Sequence, residues 1–371
     1  MHRLRVVDVS QFLPGPFAAQ MLSDMGADVL KVEPPAGDPM RALNPVTNQR
    51  QQAPFHAAVN AGKRVVCVNL KSDDGKQAFL DLIANSDVLL ESYRPGVMER
   101  LGFDYDSLKT INPGLIYCSL SGYGQFGPLQ KRSGHDINYL AMSGGLSVTG
   151  AEDKPQPPFP PVADYGGAMQ AVIAIQNAII RRYASGEGCY LDVAMADTML
   201  SWQVFGLIAC EESKSTNSSG PKRSGDLLNG GAACYQVYET SDGGFISLGA
   251  IEVIFWKNFC AAVARPDWVD RQSEQLPQSQ LISEVSTLIL TKDRDHWDQL
   301  LGAIDCCYHP VLGYEELAAW PQIQERQLLD FNEMSGQLQG VNNPVWQNNQ
   351  PPKARAPLSE VSIEEALSAW T

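Results

Sequence analysis

The first 120 residues alternate between apolar stretches of strand length and stretches with helical composition, and this alternation constrains the fold more than any other feature. The strand-like segments are RVVDV, ADVLKVE, VVCVNL, DVLLES and LIYCSLS. Helices are predicted from Pro14 to Gly26, a glycine suited to the left-handed end of a helix, and from Ser72, a capping residue followed by two aspartates. Because apolar strands separated by helices pair in parallel, the sequence predicts a βαβ arrangement with a mainly parallel sheet.

Beyond residue 120 the pattern changes. A long apolar helix is expected from Asp164 to about Tyr183, followed by the strand CYLDVAM and an apolar helix through SWQVFGLIA. Residues 213–225 are polar and rich in helix breakers, which indicates a linker or mobile loop. The strands CYQVYET and FISLGA then precede helical segments around 252–264 and 280–303, a pattern typical of a smaller α+β domain. The proline-containing tail is expected to be extended and to wrap back over the body.

Composition and charge exclude several classes of function. The net charge of −14 argues against nucleic acid as a partner. No apolar run reaches transmembrane length and the N-terminus lacks a signal peptide, so we expect a soluble cytoplasmic protein without a membrane partner. Residues 1–132 carry 14 basic against 13 acidic side chains, whereas the remainder carries 14 against 29. An anionic ligand is therefore more easily accommodated in the N-terminal third.

The cysteines and histidines do not suggest a metal site. Eight cysteines form no C-x-x-C pair, and the five histidines are scattered along the chain. Zinc sites of the usual spacing are therefore not expected, and the cysteines are interpreted as reduced structural thiols.

A G-x-G-x-x-G sequence at 122–127 follows a predicted strand and raises the alternative of a dinucleotide site. Pro128 and the polar residues after it do not have the composition of the packed helix that such a fingerprint opens. We therefore favour a flexible glycine loop near a substrate.

Three residues are candidates for acid–base chemistry, each with a structural alternative. His135, in SGHDINYLAMSGG, suits a general base in a glycine-flanked loop, but a surface histidine fits equally. Asp164, in FPPVADYGGAMQ, is either a helix N-cap or a functional carboxylate at the positive end of a helix. Glu252, in SLGAIEVIFW, is either an ordinary first-turn acid or a functional carboxylate. These segments alone leave each alternative open.

Seven segments, in this order from about residue 5 to 330, together resemble the class III CoA-transferase family. They are VVDVSQFLPGPFAAQMLSDMGADVLKVE, VNLKSDDGK, ESYRPGVMERLG, LIYCSLSGYGQFGP, SGHDINY, VADYGG and VYETSDGGFISLGAIE. The resemblance makes the glycine hexad part of a CoA-binding loop rather than a nucleotide fingerprint.

The resemblance implies an α/β fold with a large domain, built on a Rossmann-like mainly parallel sheet, and a smaller α+β domain. It places the large domain at 1–200 with the tail 326–371, the connection at 201–225 and the small domain at 226–325. It also implies an interlocked homodimer, with each active site between the large domain of one subunit and the small domain of its partner.

The resemblance further implies the roles of the candidate residues. In racemases of this family, the matches to His135 and Asp164 are two acid/base groups that invert the α-carbon of 2-methylacyl-CoA thioesters through an enolate. Glu252, in GAIE, resembles the glutamate that pairs with the histidine from the neighbouring subunit. The backbone N–H of Asp136 is the implied donor to the enolate oxygen. Because these motifs are intact, we expect racemisation.

Two alternatives to racemisation remain. A CoA-transferase of the family would use Asp164 as the nucleophile of a covalent intermediate, and a non-catalytic acyl-CoA binder would use none of these groups. One departure from the racemase pattern is Pro160, which stands where an asparagine is expected four residues before the aspartate.

CoA itself needs cations for its phosphates. Arg41, Lys63 and Arg94 lie in loops after predicted strands of the N-terminal third and are expected to bind them, although each suits a solvated surface charge equally. The resemblance adds Tyr123 and Gly124 of the glycine loop as CoA contacts. No metal or organic cofactor is expected, since CoA is part of the substrate.

Overall fold

The computed structural model describes residues 3–43, 53–216, 220–332 and 334–370. The chain forms two compact units. The large unit comprises Met1–Ser143, Phe159–Trp202 and Ala318–Thr371, and the small unit comprises Gly144–Pro158 and Gln203–Leu317. Within the described ranges, no helix is both long enough and apolar enough to cross a membrane.

The strands of the described residues, in chain order, are β1 (Arg5–Asp8), β2 (Asp28–Glu33), β3 (Arg64–Cys67), β4 (Val88–Glu91), β5 (Ile116–Ser121), β6 (Gly150–Ala151), β7 (Lys154–Pro155), β8 (Cys189–Ala194), β9 (Tyr235–Glu239), β10 (Phe245–Gly249), β11 (Tyr308–Pro310), β12 (Leu329–Phe331), β13 (Leu338–Val341) and β14 (Ser359–Glu360).

The α-helices are α1 (Pro14–Asp24), α2 (Pro54–Asn60), α3 (Asp73–Ala84), α4 (Val97–Leu101), α5 (Tyr105–Ile111), α6 (Asp136–Met142), α7 (Val162–Ser185), α8 (Met195–Ser201), α9 (Val204–Thr216), α10 (Val253–Ala262), α11 (Ser279–Ile289), α12 (Arg294–Leu301), α13 (Pro321–Glu325) and α14 (Ile363–Ser368). Short 3₁₀ helices lie at Pro39–Ala42, Gly145–Ser147, Leu227–Asn229, Pro266–Trp268, Asp270–Ser273 and Leu317–Ala319.

A seven-stranded parallel sheet forms the centre of the large unit, in the order β14-β3-β2-β1-β4-β5-β8. The prediction of a mainly parallel, Rossmann-like sheet is confirmed. The strand order reverses between β1 and β4, which hydrogen-bond directly through the pairs Val6–Val88 and Val7–Leu89. In open sheets of this type, ligands bind at such a reversal, beyond the carboxyl ends of the strands.

Local sequence explains where the main helices begin and end. Pro14 starts α1, since proline suits the first helical turn. The Ser72 hydroxyl accepts the Gly75 N–H at 3.2 Å and so caps α3. Gly186 ends α7 with φ of 75°, a conformation that costs glycine little.

The C-terminal residues complete the large unit. β14 pairs with β3 at the edge of the sheet. Trp370 is 1% exposed within the apolar core that also contains Val32, Val66 and Phe79. Its indole N–H donates to Asp28 Oδ2 at 2.8 Å, so the tail is held by both burial and a hydrogen bond.

The small unit has its own apolar core around an antiparallel sheet in the order β11-β10-β9. β9 and β10 are joined by the turn at 241–244, where Thr240 N–H donates to Gly244 O at 2.9 Å. Trp256, Trp268 and Phe259 are fully buried in this core. The two-stranded pair β6–β7 belongs to the same unit.

Several details differ from the sequence prediction. The helix expected through SWQVFGLIA is α9, but it continues to Thr216, into the segment 213–225 that was expected as a linker or mobile loop; residues 217–219 lie outside the described ranges. The helix expected over 280–303 is two helices, because the Asp293 side chain caps α12 by accepting the His296 N–H at 2.8 Å. The sequence patterns did not indicate α2, which lies between β2 and β3; residues 44–52 of this connection are not among those described.

Candidate active site

The glycine loop between β5 and α6 packs against the ring of Tyr139. A Cβ on Gly122 or Gly134 would come within 2.4 Å or 2.8 Å of that ring, so both positions require glycine. The Tyr139 hydroxyl donates to Gly134 O at 2.6 Å, and its ring meets Tyr123 edge-on at 5.1 Å between centroids. The loop is therefore a packed element, and it leads directly into His135.

His135 precedes the first residue of α6 and has an exposed side chain. Its backbone N–H donates to Asn138 Oδ1 at 3.0 Å, which fixes the main chain at the start of the helix. The His135 imidazole is therefore exposed, while its backbone is fixed by a hydrogen bond.

Asp164 is the third residue of α7, not its N-cap. Pro161 holds the N-cap position and has no side-chain acceptor for the first N–H groups of the helix. Asp136 supplies that acceptor: its Oδ1 accepts the N–H of Ala163 at 2.5 Å and that of Asp164 at 3.2 Å. The capping role, one of the two alternatives for Asp164, therefore belongs to Asp136, 28 positions earlier.

The glycines after Asp164 serve packing within the large unit. A Cβ on Gly166 would lie 2.7 Å from Met199 Cε, and one on Gly167 would lie 2.5 Å from Met195 Cγ. Met195 and Met199 both belong to α8, so the two glycines let α7 and α8 approach closely.

The pKa of Asp164 is raised to about 7 by burial first and by the negative charge of Asp136 second. Among the described residues, none donates a hydrogen bond to the Asp164 carboxylate, so nothing offsets the loss of hydration. Pro160 occupies the position where an asparagine was expected, and proline has no N–H group that could donate to the Asp164 carboxylate. Near neutral pH, Asp164 therefore exists in both protonated and ionised forms.

His135 and Asp164 line one cavity of about 370 Å³ in the large unit. The cavity lies beyond the carboxyl ends of β1 and β4, where the strand order reverses, and Arg94 and Tyr123 also line it. Gly124 turns the adjoining chain with φ of 81° and donates its N–H to the Ser121 hydroxyl at 3.1 Å.

Lys63 does not fit the expected phosphate-binding role. It is 1% exposed, and its ammonium group donates to Asp8 Oδ2 at 3.2 Å, Pro16 O at 2.7 Å and Asn60 Oδ1 at 2.8 Å. An ammonium group has three donors, so all are in use. The sequence shows the cation but not the buried Asp8 that pairs with it.

Arg41 lines a different cavity from the one that contains Asp164. Its guanidinium pairs with Glu33 Oε2 at 2.6 Å and with Glu360 Oε1 at 3.1 Å. Two carboxylates therefore already pair with the Arg41 guanidinium, and this argues against Arg41 as a phosphate ligand.

Glu252 belongs to the small unit. It is exposed and immediately precedes α10. The pKa of the Cys307 thiol is raised by burial first and by the negative charge of Glu252 second. Glu252 is therefore the N-cap residue of α10, whereas the structural alternative placed it within the first turn of the helix.

One group in the described part of the chain has the ligand types and spacing of a metal site: Glu33, Asp38 and His56. Two cations already balance its negative charge, since Lys31 Nζ lies 2.9 Å from Asp38 Oδ2 and Arg41 Nε lies 2.6 Å from Glu33 Oε2. These cations, with the His56 hydrogen bond, hold the pKa of Glu33 down to about 2 against the effect of burial. The group is a buried ion-pair network with its own cations in place.

A second cavity of the large unit, about 770 Å³, was missed by sequence reasoning. Gln11 and Tyr93 line both this cavity and the one that contains Asp164. Its other lining combines apolar Val32, Val68 and Leu70 with three cations, Lys71, Lys76 and Arg100. The position of Lys71 directly after the predicted strand VVCVNL was the signal that could have indicated it.

Comparisons with known proteins agree with one another. The family model for CoA-transferase family III matches residues 1–359. Human alpha-methylacyl-CoA racemase is 32% identical over 331 residues, which cover 87% of this chain and 80% of the human one. An acetyl-CoA:oxalate CoA-transferase from Acetobacter aceti is 31% identical over 351 residues, which cover 92% and 87%.

A crystal structure of a CAIB/BAIF family protein from Brucella suis superimposes with a TM-score of 0.82 at 27% identity, covering 99% of this chain and 97% of that one. Family model, relatives and solved structure all extend over most of the sequence, and the chain belongs to CoA-transferase family III.

Proposed function

We propose that this chain is an α-methylacyl-CoA racemase, which inverts the α-carbon of 2-methylacyl-CoA thioesters by proton transfer between two groups. The observation that carries the proposal is that one cavity contains both an imidazole, His135, and a carboxyl, Asp164, whose pKa is raised to about 7. Inversion needs a base that removes the α-proton on one face and an acid that delivers a proton to the other.

The raised pKa of Asp164 suits this chemistry. Each turnover needs one protonated and one unprotonated group, and a pKa near neutrality makes both states of the carboxyl accessible. Each acid/base group contributes about 10²–10⁴-fold in rate, or about 3–5 kcal/mol. The roles of the two groups exchange for the opposite enantiomer.

The enolate oxygen needs a hydrogen-bond donor. The backbone N–H of Asp136 is the first of α6, where N–H groups lack partners inside the helix. In the proposal it faces the thioester oxygen between the two acid/base groups, where such a contact contributes a few kcal/mol. The Asp136 carboxylate is engaged elsewhere, at the start of α7.

We place the nucleotide portion of CoA in the second cavity. Its cations suit phosphates, its apolar lining suits an adenine, and Gln11 and Tyr93 connect it to the cavity that contains Asp164. We propose that Arg94 and Tyr123, which line the cavity that contains Asp164, contact CoA; Arg94 is exposed. Lys63 is not proposed as a CoA contact, because its ammonium group is buried and fully hydrogen-bonded.

The proposal includes an interlocked homodimer in which Glu252 of the partner subunit orients the His135 imidazole. Glu252 is exposed in the small unit and therefore available to another chain. α9 exposes Phe205, Leu207 and Ile208, at 80%, 55% and 54% of their surface. An apolar face of this kind is typical of a surface covered by a partner.

A CoA-transferase reaction through a covalent intermediate at Asp164 is the alternative, since transferases are among the relatives. A carboxylate nucleophile must be ionised, and a pKa raised to about 7 makes the ionised form of Asp164 less favourable than that of an ordinary aspartate. Proton transfer uses both forms, which favours the racemase.

NMR of a single-enantiomer 2-methylacyl-CoA in D₂O, without an acceptor acid, tests the proposal. We expect deuterium at the α-carbon together with the opposite enantiomer. In His135→Ala and in Asp164→Asn, one of the two bases is missing. Each variant should therefore exchange the α-proton of only one enantiomer, the one whose proton faces the remaining base, and should not invert it. Absence of exchange over several acyl chains, with CoA transfer to added carboxylic acids that Asp164→Asn abolishes, would establish the transferase instead.

A further inference from the structure

The carboxylate of Asp136 connects the two candidate acid/base groups. Asp136 directly follows His135, and its Oδ1 accepts the N–H groups of Ala163 and Asp164 at 2.5 Å and 3.2 Å. These N–H groups belong to the first turn of α7, where no helical partner exists. One side chain therefore links the backbone at His135 to the backbone at Asp164.

The rest of the His135 backbone is held from within its own segment. Its N–H donates to Asn138 Oδ1 at 3.0 Å, and Tyr139 anchors the preceding Gly134 through a hydrogen bond of 2.6 Å. Asp136 adds the hydrogen bonds that reach from this segment to α7.

We propose that the Asp136 carboxylate is a positioning residue of the racemase: it fixes the spacing between His135 and Asp164 and places a second negative charge beside Asp164. The inference rests on the proposed function for its kinetic part. A displacement of about 1 Å between reacting groups can reduce a rate about 10²-fold.

The electrostatic part depends on the groups that face Asp164. The titratable and charged side chains that line its cavity are Tyr93 and Arg94 after β4, Tyr123 and Arg132 in the glycine loop, and His135 and Tyr139 around α6. The groups that line the cavity from α1 and α8, Pro14 and Met195, carry no charge. Asp136 is the charge that acts together with burial to raise the pKa of Asp164.

Two substitutions separate the two roles. Asp136→Asn keeps an oxygen that can accept the N–H groups of α7 but removes the charge, whereas Asp136→Ala removes both. Glu187→Gln is the matched control: it removes one exposed negative charge just past the far end of α7, about 35 Å along the helix axis from Asp164.

The experiment follows the ¹³C signal of the Asp164 carboxyl against pH in the full chain, assigned by its loss in Asp164→Asn. Alongside it, kcat and KM for α-proton exchange are measured across pH. We expect Asp136→Asn to lower the pKa of Asp164 by roughly 1 unit and to move the corresponding limb of the rate profile to lower pH. We expect Asp136→Ala to lower kcat about 10²-fold or more with a smaller change in KM, and Glu187→Gln to change neither.

An unchanged Asp164 titration in Asp136→Asn, or wild-type kcat in Asp136→Ala, would overturn the proposal. A purely structural cap would lower the melting temperature of Asp136→Ala without moving the titration in Asp136→Asn, and this too refutes it. If Asp136→Ala does not fold, Asp136→Asn still decides. If the wild type catalyses no α-exchange, the proposed function fails, but the titration still tests the effect of Asp136 on Asp164.

Discussion

Replacing Asp164 by asparagine should stabilise the protein above neutral pH. The pKa of this carboxyl is raised from its ordinary value of 3.8 to about 7, so the folded state binds the proton more tightly than the unfolded state does. As pH rises from about 4 to about 7, the folded state loses stability relative to the unfolded state, and above that range the cost stays constant. Asparagine has no charge to bury and removes the cost.

The magnitude follows from the shift. A difference of roughly 3 pKa units corresponds to about 4 kcal/mol, and we halve this to ~2 kcal/mol because the cavity admits solvent. The dipole of α7 favours a carboxylate in its first turn by about 1 kcal/mol at most. Burial is the larger effect, so the net contribution of the ionised carboxyl is destabilising.

Thermal unfolding of the wild type, Asp164→Asn and the control Glu187→Gln at pH 5.5 and pH 8 checks this. At pH 8 we expect Asp164→Asn to melt a few degrees higher than the wild type, with about half that gain at pH 5.5 and no gain in the control. If Asp164→Asn were instead less stable at pH 8 than the wild type, the carboxylate would be stabilised in place, and the raised pKa would be refuted.

Three further predictions concern binding and stability. Lys71→Ala should raise KM for the CoA thioester about 10-fold with little change in kcat, and an unchanged KM in steady-state kinetics would remove the nucleotide from the second cavity. Lys63→Met should lower the free energy of unfolding in urea by about 3–5 kcal/mol, because the buried Asp8 loses the cation that contacts it and keeps only the Ser10 hydrogen bonds and the charge of Lys31; a neutral effect would contradict the buried ion pair. Trp370→Ala should cost about 3–5 kcal/mol in the same assay, and wild-type stability would show that the tail is not part of the core.

The parallel sheet could be predicted because its signals are local. The strand segments are apolar, and Ser72 and Gly26 mark helix ends by their own conformational preferences. Each of these signals lies within a few residues of the feature that it predicts, and the structure confirms them.

The roles of Asp164 and Lys63 could not be predicted in full because they depend on distant residues. An aspartate near a helix start suits an N-cap, but the cap comes from Asp136, 27 positions earlier than Ala163. A lysine in a loop of the N-terminal third suggests a phosphate ligand, but Asp8, 55 positions earlier, pairs with Lys63 in the core. The sequence shows the residue types in both cases, and only the fold shows which ones meet.

The position of β14 has a consequence for synthesis. It covers the edge of β3, yet it is translated only after the whole small unit. A ribosome-bound chain can thus finish the core of the small unit while the sheet of the large unit still has an open edge and lacks Trp370. Open edges are templates for pairing with other chains, so this edge of the sheet stays exposed to aggregation until β14 has been made and has paired with β3.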